Sequence, residues 1–283
     1  MDGESWWART RRFLSYPVFR RIIGSVLISC VYGWLSMHYE ILILGEDVEF
    51  PASVHTLLGV SLSVLIVFRN NSSYDRWWEG RKLWGSLVNR SRSLAALVWS
   101  ARHLPEADRR QFLLTIPEFA CKLRDHLRGP WPAPDNLPQR LLNGLNLQLG
   151  RWENQSSTQF FLAVEGNLHE LYDILGACER IRGTPLPLSH RAIVPQAILI
   201  YLLALPWGLP HGPISILIIG LVSYFLISLE MIAEEIEEPF GHDPDDLPLS
   251  RLCVTIEKSV QRQLEITPEG GISRAGDAQT ALQ

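Results

Sequence analysis

The chain is poor in the residues that most often carry chemistry. Among its 283 residues are four cysteines, three methionines and eight histidines. Cys30, Cys121, Cys178 and Cys253 stand far apart with no C-x-x-C spacing, which excludes a zinc-finger pattern and a disulfide framework. They are expected to be small buried hydrophobes. His169-Glu170 opens like a zinc-protease motif, but position 173 is Asp173 and no second histidine follows at the required spacing. There is no Gly-rich phosphate loop and no G-x-S-x-G elbow, and no nucleophile is paired with a base, so the chain is not read as an enzyme. A basic excess is missing too: 26 Lys and Arg against 30 Asp and Glu leave a net charge of −4, which gives no footprint for nucleic acid. The apolar run behind the basic N-terminus lacks a small-residue cleavage site, so that terminus is expected to be retained.

In three stretches the missing feature is charge itself. From Ile22 to Leu44 the only formal charge is Glu40, and from Val54 to Phe68 there is none. Between Arg191 and Glu230 there is again none, the run being broken only by the cluster from Pro206 to Pro213. Prolines remove backbone donors and glycine permits reversal, so this last run predicts two helices joined by a turn. Four membrane spans follow, with the later three at or below the usual length of about 20 residues. Such segments complete a crossing when their ends continue as helix in protein surroundings, which points to an assembly of subunits. Arg9, Arg11, Arg12, Arg20 and Arg21 precede the first run and Arg69, Arg76, Arg81, Lys82 and Arg90 follow the second, whereas the loop between them carries Glu46, Asp47 and Glu49 and no base. That asymmetry predicts both termini on the cytoplasmic side.

Residues 72 to 191 show helical periodicity and no convincing strand alternation. Trp77, Trp84, Val88, Ala95 and Val98 fall on one face of a first helix. Further helices are expected at about 106–128, with Pro117 inside, at about 138–152, and from Ser156 to Arg182, where Gly183 is expected to supply a left-handed cap. The expected organisation is a cytoplasmic segment 1–21, a transmembrane hairpin 22–68, a cytoplasmic helical bundle 69–191, a second hairpin 192–229, an acidic cytoplasmic segment 230–263 and a disordered tail 264–283. The fold class is therefore all-α, four membrane helices continuous with a cytoplasmic bundle.

Two patterns in these segments suggest function. Val60, Val64 and Phe68 recur every four residues, with Gly59, Ser61 and Ser63 small enough for close helix approach. Around an axis they would stack as hydrophobic rings, although periodicity alone favours lipid or helix packing. Glu230, Glu234 and Glu237 share a helical face, suited to pairing with arginines, to a ring of negative charge, or to a solvated helix end.

The stretch FRNNSSYDRWWEGRKLWG from Phe68 to Gly85, then CERIRGTPLP from Cys178, then EPFGHDPDDLP from Glu238, resembles the bacterial branch of the bestrophin channels over roughly residues 10–260. The resemblance implies a homopentamer with one axial pore in the bacterial inner membrane, passing monovalent ions passively and requiring no cofactor. Its partners are then further copies of the chain, the permeating ions and the bilayer. The register of Arg76, Trp77, Trp78 and Glu79, taken as structural, puts Val60, Val64 and Phe68 at the family's neck and Ile181 at its cytoplasmic aperture. Animal members carry mostly Ile and Phe at the neck, so two valines imply a more readily hydrated constriction. The animal calcium clasp is altered: Glu238 replaces Asn, and His242 and Pro244 interrupt the acids, leaving Asp243 and Asp246 as metal ligands and calcium gating doubtful. Animal members resemble chloride channels and bacterial ones monovalent cation channels; the acidic segments tilt the expectation toward Na+ and K+. Chloride passage, or a non-conducting anchored sensor, is the alternative.

Overall fold

The computed structural model describes residues 16–39 and 51–265, together with Ser5, Trp7, Ala8, Arg11 and Leu14. The acids expected in the outer loop and the expected tail beyond Glu265 lie outside the described residues. Among the described residues all regular structure is helical. The helices are α1 (Pro17–Tyr39), α2 (Ala52–Ser100), α3 (Glu106–Arg128), α4 (Leu137–Trp152), α5 (Thr158–Gly183), α6 (Leu188–Ala204), α7 (Pro213–Glu237) and α8 (Leu249–Glu265), with 3-10 turns at Glu153–Gln155 and Leu205–Gly208. The chain divides into two compact units, one of residues 1–77 and 185–238, the other of 78–184 and 239–283. These units follow packing, whereas the divisions expected at 68, 191 and 229 mark the edges of charge-free runs. Helix α2 contributes to both units, because helix outlasts the loss of hydropathy.

In the first unit α1, α6, α7 and the N-terminal part of α2 bury Met37, Leu62, Ile66, Val194, Ile198, Leu202, Leu205 and Ile219 together. Small residues let α1 approach α7: a Cβ on Gly33 would lie 2.6 Å from the Ile219 Cδ1, and one on Gly220 would lie 3.0 Å from the Cys30 sulfur. Tyr32 donates to the Leu203 carbonyl at 2.9 Å and accepts from the Trp207 indole at 3.4 Å, fixing α1 against the turn after α6. Among the described residues four helices are long and apolar enough to cross a bilayer: 23 residues in α1, 48 within α2, 21 from Leu188 and 25 in α7. At about 1.5 Å per residue even the shortest reaches roughly 30 Å, the hydrocarbon thickness. The protein is an integral membrane protein.

The second unit is a helical bundle. Trp84, Leu87, Leu94 and Val98 of α2 are buried, as are Phe112, Ile116 and Phe119 of α3, Leu142 and Leu145 of α4, and Leu168, Leu171 and Leu175 of α5. Each such side chain contributes about 1.5–3 kcal/mol. Helix α4 starts where Asn136 accepts from the Gln139 N–H at 3.1 Å, and α5 where Ser157 accepts from the Phe160 N–H at 3.3 Å. Gly183 is helical and not left-handed; a Cβ there would stand 2.9 Å from Trp131, so closeness explains the glycine. Helix α8 brings Cys253, Ile256 and Val260 into this core, and the Cys253 thiol donates to the Ala120 carbonyl. All four cysteines are free.

Candidate functional site

Helix α2 has two opposite faces in the first unit. Leu62, Ile66, Arg69 and Ser73 are buried, following each other at steps of four, three and four. Val60, Val64 and Phe68 lie on the opposite side, since two residues turn a helix by about 200°. They remain 60%, 50% and 62% exposed. The stripe singled out in the sequence is therefore apolar and uncovered by its own protomer. Polar side chains on this helix turn back on it: Ser61, Ser63, Asn70 and Ser72 donate to the carbonyls of Leu57, Gly59, Ile66 and Phe68 at 2.7–3.1 Å. This back-bonding carries α2 through the polar segment without a break.

Arg69, the residue after Phe68, is 2% exposed. Its Nη1 lies 2.8 Å from Glu237 Oε2 and its Nε 3.4 Å from Glu230 Oε1. Arg191 reaches Glu237 Oε1 at 3.3 Å, and Arg21 reaches Glu235 at 3.7 Å. Arg76 donates to the Glu237 carbonyl at 3.1 Å. Glu237 itself is 1% exposed. Burial makes an isolated ion cost several kcal/mol, and these charges persist by pairing. Of the three acids on the α7 face, Glu230 and Glu237 thus face arginines of their own protomer, Glu237 more closely than Glu230, and are not presented as a negative ring. In the sequence Arg69 reads as a flanking charge and Arg191 as the edge of a charge-free run. The signal that marks Arg69 is its phase, three residues from Ile66 and seven from Leu62 on the buried side.

The other residues of the motifs distribute as follows. Trp77 stacks on Tyr74 with ring centroids 6.2 Å apart, and Trp78 is 45% exposed. Glu79 accepts from Arg180 at 2.6 Å in a pair open to solvent, which contributes little to stability. Gly80 has no room for a side chain: a Cβ would meet Phe240 at 3.1 Å and Leu247 at 3.2 Å. Residues of the three motifs therefore meet in the second unit, Gly80 against Phe240 and Glu79 with Arg180. Ile181, expected at an aperture, is 3% exposed and packs inward with the bundle core. The helical face chosen for it is the one α5 turns toward its own protomer, and its exposed neighbours are Gly176 and Arg180.

The acidic loop is closed on itself. The Asp243 N–H donates to Asp246 Oδ2 at 2.6 Å, and the Leu247 N–H to the Pro239 carbonyl at 3.0 Å. Burial pushes the Asp246 carboxyl up from 3.8 to about 6, against the opposing Asp243 hydrogen bond. Asp246 Oδ1 is buried without a donor among the described residues, the one feature that suits a cation. No three His, Cys, Asp or Glu side chains gather around an ion-sized point among the described residues. A calcium ion wants six to eight oxygens, so Asp243 and Asp246 do not fit it as a side-chain cage.

The chain matches the bacterial/fungal bestrophin protein family over residues 2–262. It is 32% identical to a voltage-dependent anion channel-forming protein of Nostoc sp., across 94% of both chains. A protein of the same description from Ralstonia nicotianae is 34% identical over 83% of this chain and 84% of that one. Among solved structures, a variant of a bacterial bestrophin homolog from Klebsiella pneumoniae superposes with a TM-score of 0.80 at 25% identity, covering 87% of this chain and 99% of the other.

Proposed function

This chain belongs to the bacterial and fungal bestrophin family of ion channels, and from that premise we propose that five copies surround an axial pore whose neck is lined by Val60, Val64 and Phe68. The observation that carries the reading is the uncovered apolar stripe on α2, 60%, 50% and 62% exposed, on a helix whose opposite face is fully engaged. Hydrophobic rings of this kind hinder ions by dewetting and open when they hydrate. The pore sits in the bacterial plasma membrane with both termini cytoplasmic, a placement supported by the arginines flanking α1 and the first part of α2. Trp77 and Trp78 serve packing, and no calcium step is invoked.

Monovalent anions are the preferred passengers. The names of the relatives from Nostoc and Ralstonia support this, and the acids that argued for cations lose force because Glu230 and Glu237 are paired with Arg69 and Arg191. Cation passage is the second reading, favoured by the net charge of −4 and by the acids Glu46, Asp47 and Glu49 close together in the sequence. Purified protein in liposomes tests the channel itself. Ion flux is expected from the wild type and a several-fold increase from the triple variant V60A/V64A/F68A; absence of flux from both overturns the proposal. In a potassium chloride gradient the reversal potential is expected to move toward the chloride value, and movement toward the potassium value selects the second reading.

A further inference from the structure

A chamber of about 340 Å³, open at the surface where Ile28 and Leu199 are 71% and 58% exposed, lies in the first unit among α1, α6 and α7, and conduction along α2 makes no use of it. Its walls are apolar, Ile28, Ile198, Leu199 and Leu203 among them, with Glu230, Ser25, Ser29 and Tyr32 as the polar exceptions. The Glu230 side chain is 12% exposed, and only its Oε1 faces Arg69, at 3.4 Å. Its Oε2 is buried and accepts no hydrogen bond among the described residues. Arg69 is already drawn to Glu237 at 2.8 Å, which limits what it can give to Glu230. Ser29 donates to the Ser25 carbonyl at 3.0 Å, which leaves the lone pairs of its oxygen free to accept. The polar part of the chamber thus offers a carboxylate and serine hydroxyls, while the Ser29 and Tyr32 O–H groups are already committed to carbonyls.

The complementary ligand donates hydrogen bonds, carries positive charge and is otherwise apolar. A primary ammonium has three donors and no acceptor. A carboxylate is repelled by Glu230, and a hydrocarbon leaves Oε2 unpaired. At about 340 Å³ the chamber is at the small end of ligand pockets, which suits a small body. We propose that this chamber binds a small primary amine with an apolar body, the ammonium on Glu230 Oε2 and the Ser29 hydroxyl, the body among Ile28, Leu199 and Leu203.

Calorimetry on the full chain in detergent at pH 8, with 2-phenylethylamine and 2-phenylethanol as probes, tests this without reference to conduction. The amine is expected to bind saturably and at least about tenfold more tightly than the alcohol. Glu230→Gln is expected to reduce the amine to the level of the alcohol and to leave the alcohol unchanged. Leu199→Trp, at a position 58% exposed, is expected to fill the chamber and weaken both. Equal binding of the two probes by the wild type overturns the proposal, as does amine binding that Glu230→Gln leaves intact. Thermal stabilisation by phosphatidylethanolamine with none by 2-phenylethylamine assigns the groove to lipid and also overturns it. Should Glu230→Gln fail to fold, the wild-type ratio of amine to alcohol and the response of Leu199→Trp decide the matter.

Discussion

Arg69 joins the acids Glu230 and Glu237 within the first unit. Removing one partner of a buried ion pair leaves an uncompensated charge, a loss of about 3–5 kcal/mol. Arg69→Ala is expected to destabilise by that amount in chemical unfolding, because Glu237 at 1% exposure is left with Arg191 alone. Arg191→Ala is expected to lose less, since Arg191 is itself 38% exposed. Nothing in hydropathy distinguishes a positive residue at a membrane edge from one turned inward; only helical phase does, and phase is assignable once the buried side is known. Asp246 offers a different residue-scale test. Its carboxyl is held at about 6 in the fold against 3.8 ordinarily, so the folded loop binds the proton more tightly than the unfolded chain. The stability this adds is full below pH 3.8 and is lost as pH rises through about 6. Thermal unfolding from pH 5 to 8 is expected to show wild type losing stability relative to Asp246→Asn as pH rises, by roughly 1 kcal/mol at this half-exposed site.

The helices themselves were largely readable. Those expected at 106–128 and 138–152 are α3 and α4 within a residue, because apolar periodicity, Pro and Gly bounded them. Helix α2 is where reading by hydropathy falls short. Its buried stripe runs Leu62, Ile66, Arg69, Ser73, Gly80, Trp84, Leu87, Ser91, Leu94, Val98, close to the 3.6-residue period throughout. The middle members are polar or small, so the apolar signal stops near Phe68 although the helix continues to Ser100. Gly183 shows the converse: a glycine before Thr-Pro suggests a left-handed cap, whereas the helix ends at Gly183 and the missing side chain makes way for Trp131. Gly183→Ala is expected to cost about 1–3 kcal/mol through overpacking and to alter Trp131 fluorescence. A cycle with Trp131→Ala is expected to remove most of that penalty, since the clash needs both side chains.

At the scale of the whole molecule, four membrane helices and an accompanying bundle were legible from loop charges, apolar runs and three motifs. Helix α8 was not, because a segment that begins with acids and prolines was read for its charge, while Cys253, Ile256 and Val260 supply the stripe that joins the bundle. The uncovered side chains of α2 call for company, and native mass spectrometry in detergent is expected to give five times the 32.2 kDa chain. Monomer alone would remove the pore. The Arg69 pairing also sets an order of events in biosynthesis. Glu230 is made 161 residues after Arg69, which at about 5–20 residues per second is roughly 8–32 s of translation. During that interval no counter-ion from α7 exists, and the first hairpin has to wait with its guanidinium at the aqueous edge. Arg69 gains its acidic partners only once the second hairpin has arrived, so a chain halted before Glu230 keeps that cation at the membrane edge.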